Sequence, residues 1–145
     1  MPRPLPDTSF LFSLYGNDAH TGRAREWVRS QSAPIALSAL SRYEFGNAVR
    51  FAAFRKAITA DDAARSLENF AADLKSGYLQ VAPCDLAVVV AQAMRLSEAH
   101  TLNSGHRSFD ILHIATAKVL RAAPFLSFDQ NQRKLATAER LEVAP

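Results

Sequence analysis

Cysteine is almost missing from this chain: Cys84 stands alone among 145 residues. No intrachain disulfide can form, and the cysteine pair of a structural zinc site is excluded. Long apolar runs are missing too. No stretch approaches the roughly 18 residues of a membrane span, and Met1-Pro2-Arg3-Pro4-Leu5-Pro6 has no apolar segment behind its one basic residue. Neither a membrane anchor nor a signal peptide is expected, so the expected setting is soluble and cytoplasmic. There is no internal repeat, no low-complexity segment and no composition shift of the kind that marks a linker. Charge of one sign is not in large excess either: 17 Lys and Arg face 14 Asp and Glu, a net of +3. That balance alone says little about a polyanionic partner.

What is present is apolar bulk. Hydrophobic residues make up 48% of the chain, enough for a sizeable core, and the length suits one domain over residues 1–145. Short extended segments alternate with helical ones. Strands are expected at Arg3–Pro6, Pro34–Leu37, Tyr78–Ala82, Pro124–Phe128 and Leu141–Val143. Helices are expected at Ala19–Ser30, Leu40–Lys56, a segment capped by Thr59, Asp85–His100, Phe109–Leu120 and Gln130–Thr137, with Thr101–Arg107 as a loop. In the Thr59 helix, Asp61 and Asp62 suit the first turn, Gly77 sits past the end, and Ala63, Leu67, Phe70, Ala71 and Leu74 share one face. Leu86, Val89, Val90, Ala93 and Leu96 do the same in the next helix. The pattern predicts an α/β fold: a mainly parallel five-stranded sheet with helices on both faces.

Ligands of such sheets sit outside the carboxyl ends of the strands, and four acids fall there. Asp7 follows the first strand, and Asp129 closes Phe125-Leu126-Ser127-Phe128-Asp129. Glu44 lies a turn into the helix after the second strand, among Leu40, Phe45, Ala48 and Phe51. Asp110 stands at the start of its helix, where an anion is favoured. A carboxylate among apolar residues is costly unless paired or bound to metal, and converging carboxylates repel. A hard divalent cation, Mg²⁺ or Mn²⁺, resolves both difficulties. Setting these four aside leaves ten acids against 17 bases, a basic surround suited to a polyanion.

Each acid also has an ordinary structural reading. Asp7 can be a turn former, Glu44 an exposed helix residue paired with Ser41, Asp110 a first-turn acid behind Ser108, and Asp129 a helix cap. His113, a turn after Asp110, reads as packing or a structural hydrogen bond, with contact to the site as the minority alternative, Cys84 as inert, and Trp27 as core or contact surface. Arg42, Arg50, Arg55 and Lys56 read as a solvated face, with phosphate contact as the minority alternative.

Asp7-Thr8-Ser9, Ser41-x-x-Glu44-x-x-Asn47-Ala48, Arg107-Ser108-x-Asp110-Ile111-x-His113-x-Ala115-x-Ala117 and Ser127-Phe128-Asp129 together resemble the PIN-domain family. Order and rough spacing fit along essentially the whole chain. The resemblance implies an acidic tetrad of Asp7, Glu44, Asp110 and Asp129, with Ser127 in the place of the family's hydroxyl residue and Asn47 as a further supporting group. It implies Mg²⁺- or Mn²⁺-dependent hydrolysis of RNA phosphodiesters, and for many members a toxin role restrained by a separate protein antitoxin. Members also form homodimers; Phe10, Phe12, Tyr15, Phe51 and Phe54 are available to such a surface or to the core. A catalytically silent PIN-like module that binds RNA or protein is the alternative. A phosphatase with Asp7 as nucleophile is disfavoured, because position 9 is Ser where a second Asp is wanted. One departure is plain: the first strand is Pro-Arg-Pro-Leu-Pro, and Pro4 and Pro6 both lack a ladder donor on the same side.

Overall fold

A computed structural model describes residues 2–145. The chain runs β1 (Leu5–Pro6), α1 (Thr8–Tyr15), α2 (Thr21–Arg29), β2 (Ile35–Leu37), α3 (Ala39–Phe54), α4 (Ala60–Ser76), β3 (Leu79–Val81) and α5 (Leu86–Leu96). A π-helical turn (Ser97–Thr101), α6 (Leu102–Ser104), α7 (Ser108–Leu120), β4 (Phe125–Leu126), α8 (Gln130–Ala138) and β5 (Val143–Ala144) complete it. Every strand pairing is parallel, with Leu5 opposite Phe125, Phe125 opposite Val143, and Ile35 opposite Leu79.

The five strands do not make one ladder. They form a three-stranded sheet, β1–β4–β5, and a two-stranded sheet, β2–β3. The break lies between β1 and β2, and the prolines account for it. Leu5 and Asp7 donate their N–H groups to Pro124 and Leu126 of the β4 side. The intervening Pro4 and Pro6 face β2 and have no N–H to give. A single backbone hydrogen bond, from Ala36 N to the Pro4 carbonyl at 2.8 Å, spans the seam among the described residues.

Helices cover both faces, because neighbouring strand residues point to opposite sides. Leu126 joins a core with Phe10, Leu11, Ile35, Phe45 and Phe70. Phe125, the residue before it, joins another with Leu5, Val89, Leu96, Ile114 and Leu135. Each such side chain contributes about 1.5–3 kcal/mol on burial, so two cores on one thin sheet hold the strand edges in place.

Helix α1 is the element the sequence pattern did not announce. Thr8–Tyr15 has no polar stripe, and five of its residues, from Phe10 to Tyr15, are buried. A short helix buried nearly all round carries no amphipathic signal. The α4 signals are met in full: Thr59 and Asp62 close a capping box, and Gly77 ends the helix at φ 82°, a left-handed conformation suited to glycine. Two expected faces are narrower than the spacing suggested. Ala71 of α4 is exposed, as are Leu86 and Val90 of α5, while Val89 and Leu96 point inward. The expected loop Thr101–Arg107 is helical through Ser104. Of the aromatic residues open to either role, Phe10 and Tyr15 are core, Phe12 is half-buried, and Phe51 and Phe54 are exposed. No helix among the described residues is long and apolar enough to cross a membrane.

Candidate active site

Parallel pairing puts the carboxyl ends of β1, β2 and β4 on one edge, and three of the four acids follow those ends. Asp7 caps α1: its Oδ1 accepts from Phe10 N at 2.9 Å and Ser9 Oγ at 2.7 Å. Its Oδ2 accepts from Ser127 Oγ at 2.5 Å. The residue is only 2% exposed. Burial pushes its carboxyl above the usual carboxylate range, although the bonds from Ser127, Phe10 and Ser9 oppose the rise. Asp129 caps α8 through Gln132 N at 2.8 Å. Its own N–H reaches Ser127 Oγ at 3.1 Å. Ser127, fully buried, therefore ties the first acid to the last across the β1–β4 pair.

Glu44 stands on α3 and Asp110 in the first turn of α7. The Glu44 Oε1 atom lies 3.3 Å from Nε2 of the buried His113, which also approaches Thr8 Oγ1 at 3.4 Å. Burial raises the Glu44 carboxyl, but hydrogen bonds from His113 and Thr8 and the fields of His113 and Arg107 outweigh it, and the net direction is down. Its second oxygen, Oε2, is buried with no partner among the described residues. Asp110 accepts from Arg107 Nε at 3.1 Å. The Arg107 guanidinium is itself raised by Asp110, then by the more distant Asp129 and Glu44. The charges of three of the four acids thus bear on one exposed arginine, which pairs with Asp110, and the fourth acid connects to them through Ser127 and Thr8–His113.

The donors match a hard divalent cation in kind: all are carboxylate oxygens, and Glu44 Oε2 is a buried acceptor lacking a partner. As placed, no three of the His, Cys, Asp and Glu side chains among the described residues form a group that would hold one ion. Asn47 is exposed on α3, and among the described residues no hydrogen bond links its side chain to any of the acids. The ordinary readings of Asp7, Asp110 and Asp129 also hold in their way, since Asp7 and Asp129 cap helices and Asp110 sits in a first turn. The cap of α7 is Arg107, not Ser108.

His113, expected to pack or make a structural hydrogen bond with site contact as the alternative, is buried and reaches Glu44, as its place one turn after Asp110 on the same face allows. Sequence reasoning passed over one group at this edge. Arg107, three residues before Asp110, was part of a motif without a role. Cys84 is half-buried and free, and Trp27 packs edge-on to Phe10 at 6.1 Å between ring centroids. Arg42, Arg50, Arg55 and Lys56 are all exposed.

A family model described as the PIN domain matches residues 5–138. Among curated proteins no sequence matches the chain significantly. Solved structures do. VapC20 of Mycobacterium tuberculosis, described as a sarcin–ricin loop cleaving toxin, is similar at a TM-score of 0.71 and 20% identity, over 98% of this chain and 99% of its own. FitAcB from Neisseria gonorrhoeae is similar at 0.64 and 17%, over 98% of this chain and 96% of its own. PAE2754 from Pyrobaculum aerophilum is similar at 0.62 and 18%, over 98% and 83%.

Proposed function

The chain belongs to the PIN-domain family, and on that premise we propose that it is a divalent-metal-dependent endoribonuclease acting as the toxin of a toxin–antitoxin pair. The observation that carries the proposal is the acid edge, with Asp7 and Asp129 held by one serine and Glu44 keeping a buried oxygen without a partner. Asp7, Glu44, Asp110 and Asp129 would hold Mg²⁺ or Mn²⁺. The bound metal supplies activation of water and neutralisation of charge on the leaving oxygen. The protein's own part is orientation. Ser127 fixes the Asp7 carboxylate, His113 turns Glu44 towards the edge, and the N-terminus of α7 favours negative charge beside Asp110. Arg107 at the rim suits a phosphate oxygen. The toxin role rests on likeness to VapC20, and a separate protein antitoxin and an RNA target follow from it.

Purified protein is expected to cleave a panel of structured and single-stranded RNAs with Mg²⁺ or Mn²⁺ and to stop in EDTA. The Asp110→Asn variant should lose both cleavage and calorimetric metal binding. Metal binding without cleavage would mean that the panel lacks the right RNA. Neither binding nor cleavage would end the enzyme reading. RNA binding indifferent to metal would favour a catalytically silent module, the reading consistent with acids not already drawn into one cluster.

A further inference from the structure

Beside the acid edge lies an open pocket of about 470 Å³, and three residues belong to both: Thr8, Ser9 and Asp129 line it together with His20, Phe51, Arg55 and Phe128. Its volume is of the order that small organic groups occupy. One wall is an aromatic column that starts in the core. Phe10, fully buried, lies nearly parallel to Phe128 with ring centroids 5.6 Å apart. Phe128, half-buried, lies parallel to His20 at 4.5 Å. His20 is exposed, so the column ends in a ring open to solvent.

That last ring is held in place. Asp18 uses its carboxylate on the local turn, accepting from His20 N at 2.8 Å and from Ser13 Oγ at 2.9 Å. Cations flank the pocket: Arg23 lies 5.9 Å from the Phe128 ring centroid, and Arg55 lies 4.9 Å over Phe51. Unstacked RNA bases are bound on aromatic and guanidinium planes of this kind, with positive charge beside them for the backbone.

We propose that this pocket is the subsite for one unstacked base of single-stranded RNA, stacked on His20, next to the phosphodiester at the acid edge. The inference rests on the ribonuclease reading for the position of that phosphodiester. The column sets the plane of the base, and the shared residues Thr8, Ser9 and Asp129 put the pocket next to the acids.

The test uses full-length protein and a short single-stranded RNA carrying 2-aminopurine, whose fluorescence falls on stacking, in EDTA so that no strand is cut. The parent should quench the probe on binding. His20→Ala should bind about 5- to 100-fold more weakly, as loss of one stacking contact requires, and lose the quenching. His20→Phe should restore both. Mn²⁺ calorimetry on the same proteins should give one affinity for all three. Equal quenching by the parent and His20→Ala would overturn the subsite and leave the pocket to an apolar peptide segment. A parent that binds Mn²⁺ yet never quenches would also overturn it, with the nuclease reading intact. A parent that quenches through His20 but binds no Mn²⁺ would keep the subsite and end the nuclease reading.

Discussion

Asp7→Asn is expected to reduce RNA cleavage by at least about 1,000-fold, since a metal clamp contributes several kcal/mol to the transition state, with the fold intact. The two effects separate because Asp7 does two jobs. As a cap it needs only a side-chain oxygen for Phe10 N, and Asn caps a helix as well as Asp does. As a candidate ligand it needs a negative charge, which Asn lacks. The charge is also what burial penalises: Asp7 is 2% exposed with hydroxyl and amide partners but no cation in contact. Removing it should leave the melting temperature equal to the parent's or slightly above. With the Asn oxygen kept on Phe10 N and Ser9, the Ser127 hydroxyl can rotate to accept from the new amide group. Thermal melting, RNA cleavage and Mn²⁺ titration on the purified variant check all three statements. Cleavage within tenfold of the parent would remove Asp7 from the metal site. A variant that fails to fold would show that the charge itself holds the β1–α1 turn.

The acids were legible because their positions follow from topology: parallel strands bring every β–α turn to one edge. The sequence pattern put Asp7 and Asp129 at the carboxyl ends of strands, and the spacing of Glu44 and Asp110 put both near a helix start. The prolines were seen to lack ladder donors, yet a five-stranded sheet was expected; a strand without N–H groups on one side cannot carry a ladder there, and the sheet divides at that side. The connecting chemistry was not legible. Whether His113 packs or orients Glu44 depends on how α7 is set against α3, and no local pattern encodes that. The column of Phe10, Phe128 and His20 joins three separate segments, so its members look unrelated along the chain. Helix α1 escaped for the opposite reason: with both sides buried, its residues have no periodic contrast to read. Leu86 and Val90 mislead in the same way, as apolar residues at helical spacing that no other element covers.

Glu139→Gln is expected to cost about 2–4 kcal/mol at neutral pH, the range for losing hydrogen bonds to charged groups at a mostly buried carboxylate. Glu139 sits at the end of α8 with its side chain 10% exposed. Its Oε1 accepts from Arg95 Nη2 at 2.6 Å and Lys118 Nζ at 2.8 Å, and its Oε2 lies 2.7 Å from His100 Nε2. The three partners come from α5, the π-helical turn and α7, so one carboxylate clips α8 to three neighbours. Burial raises this carboxyl, but the bonds from Lys118, His100 and Arg95 prevail and draw it from the ordinary 4.5 to about 2. Because the folded-state value is the lower one, its stabilisation is complete above about pH 4.5 and is lost as pH falls towards 2. The difference in stability between parent and Glu139→Gln should therefore be large at pH 7, smaller at pH 3, and nearly gone at pH 2. At about 2–4 °C per kcal/mol for a chain of this size, the melting temperature should fall by roughly 5–15 °C at pH 7. Melting both proteins at each pH cancels the titrating groups that do not touch Glu139. A gap that stays constant from pH 7 to pH 3 would mean that Glu139 holds α8 by shape, with its charge contributing nothing.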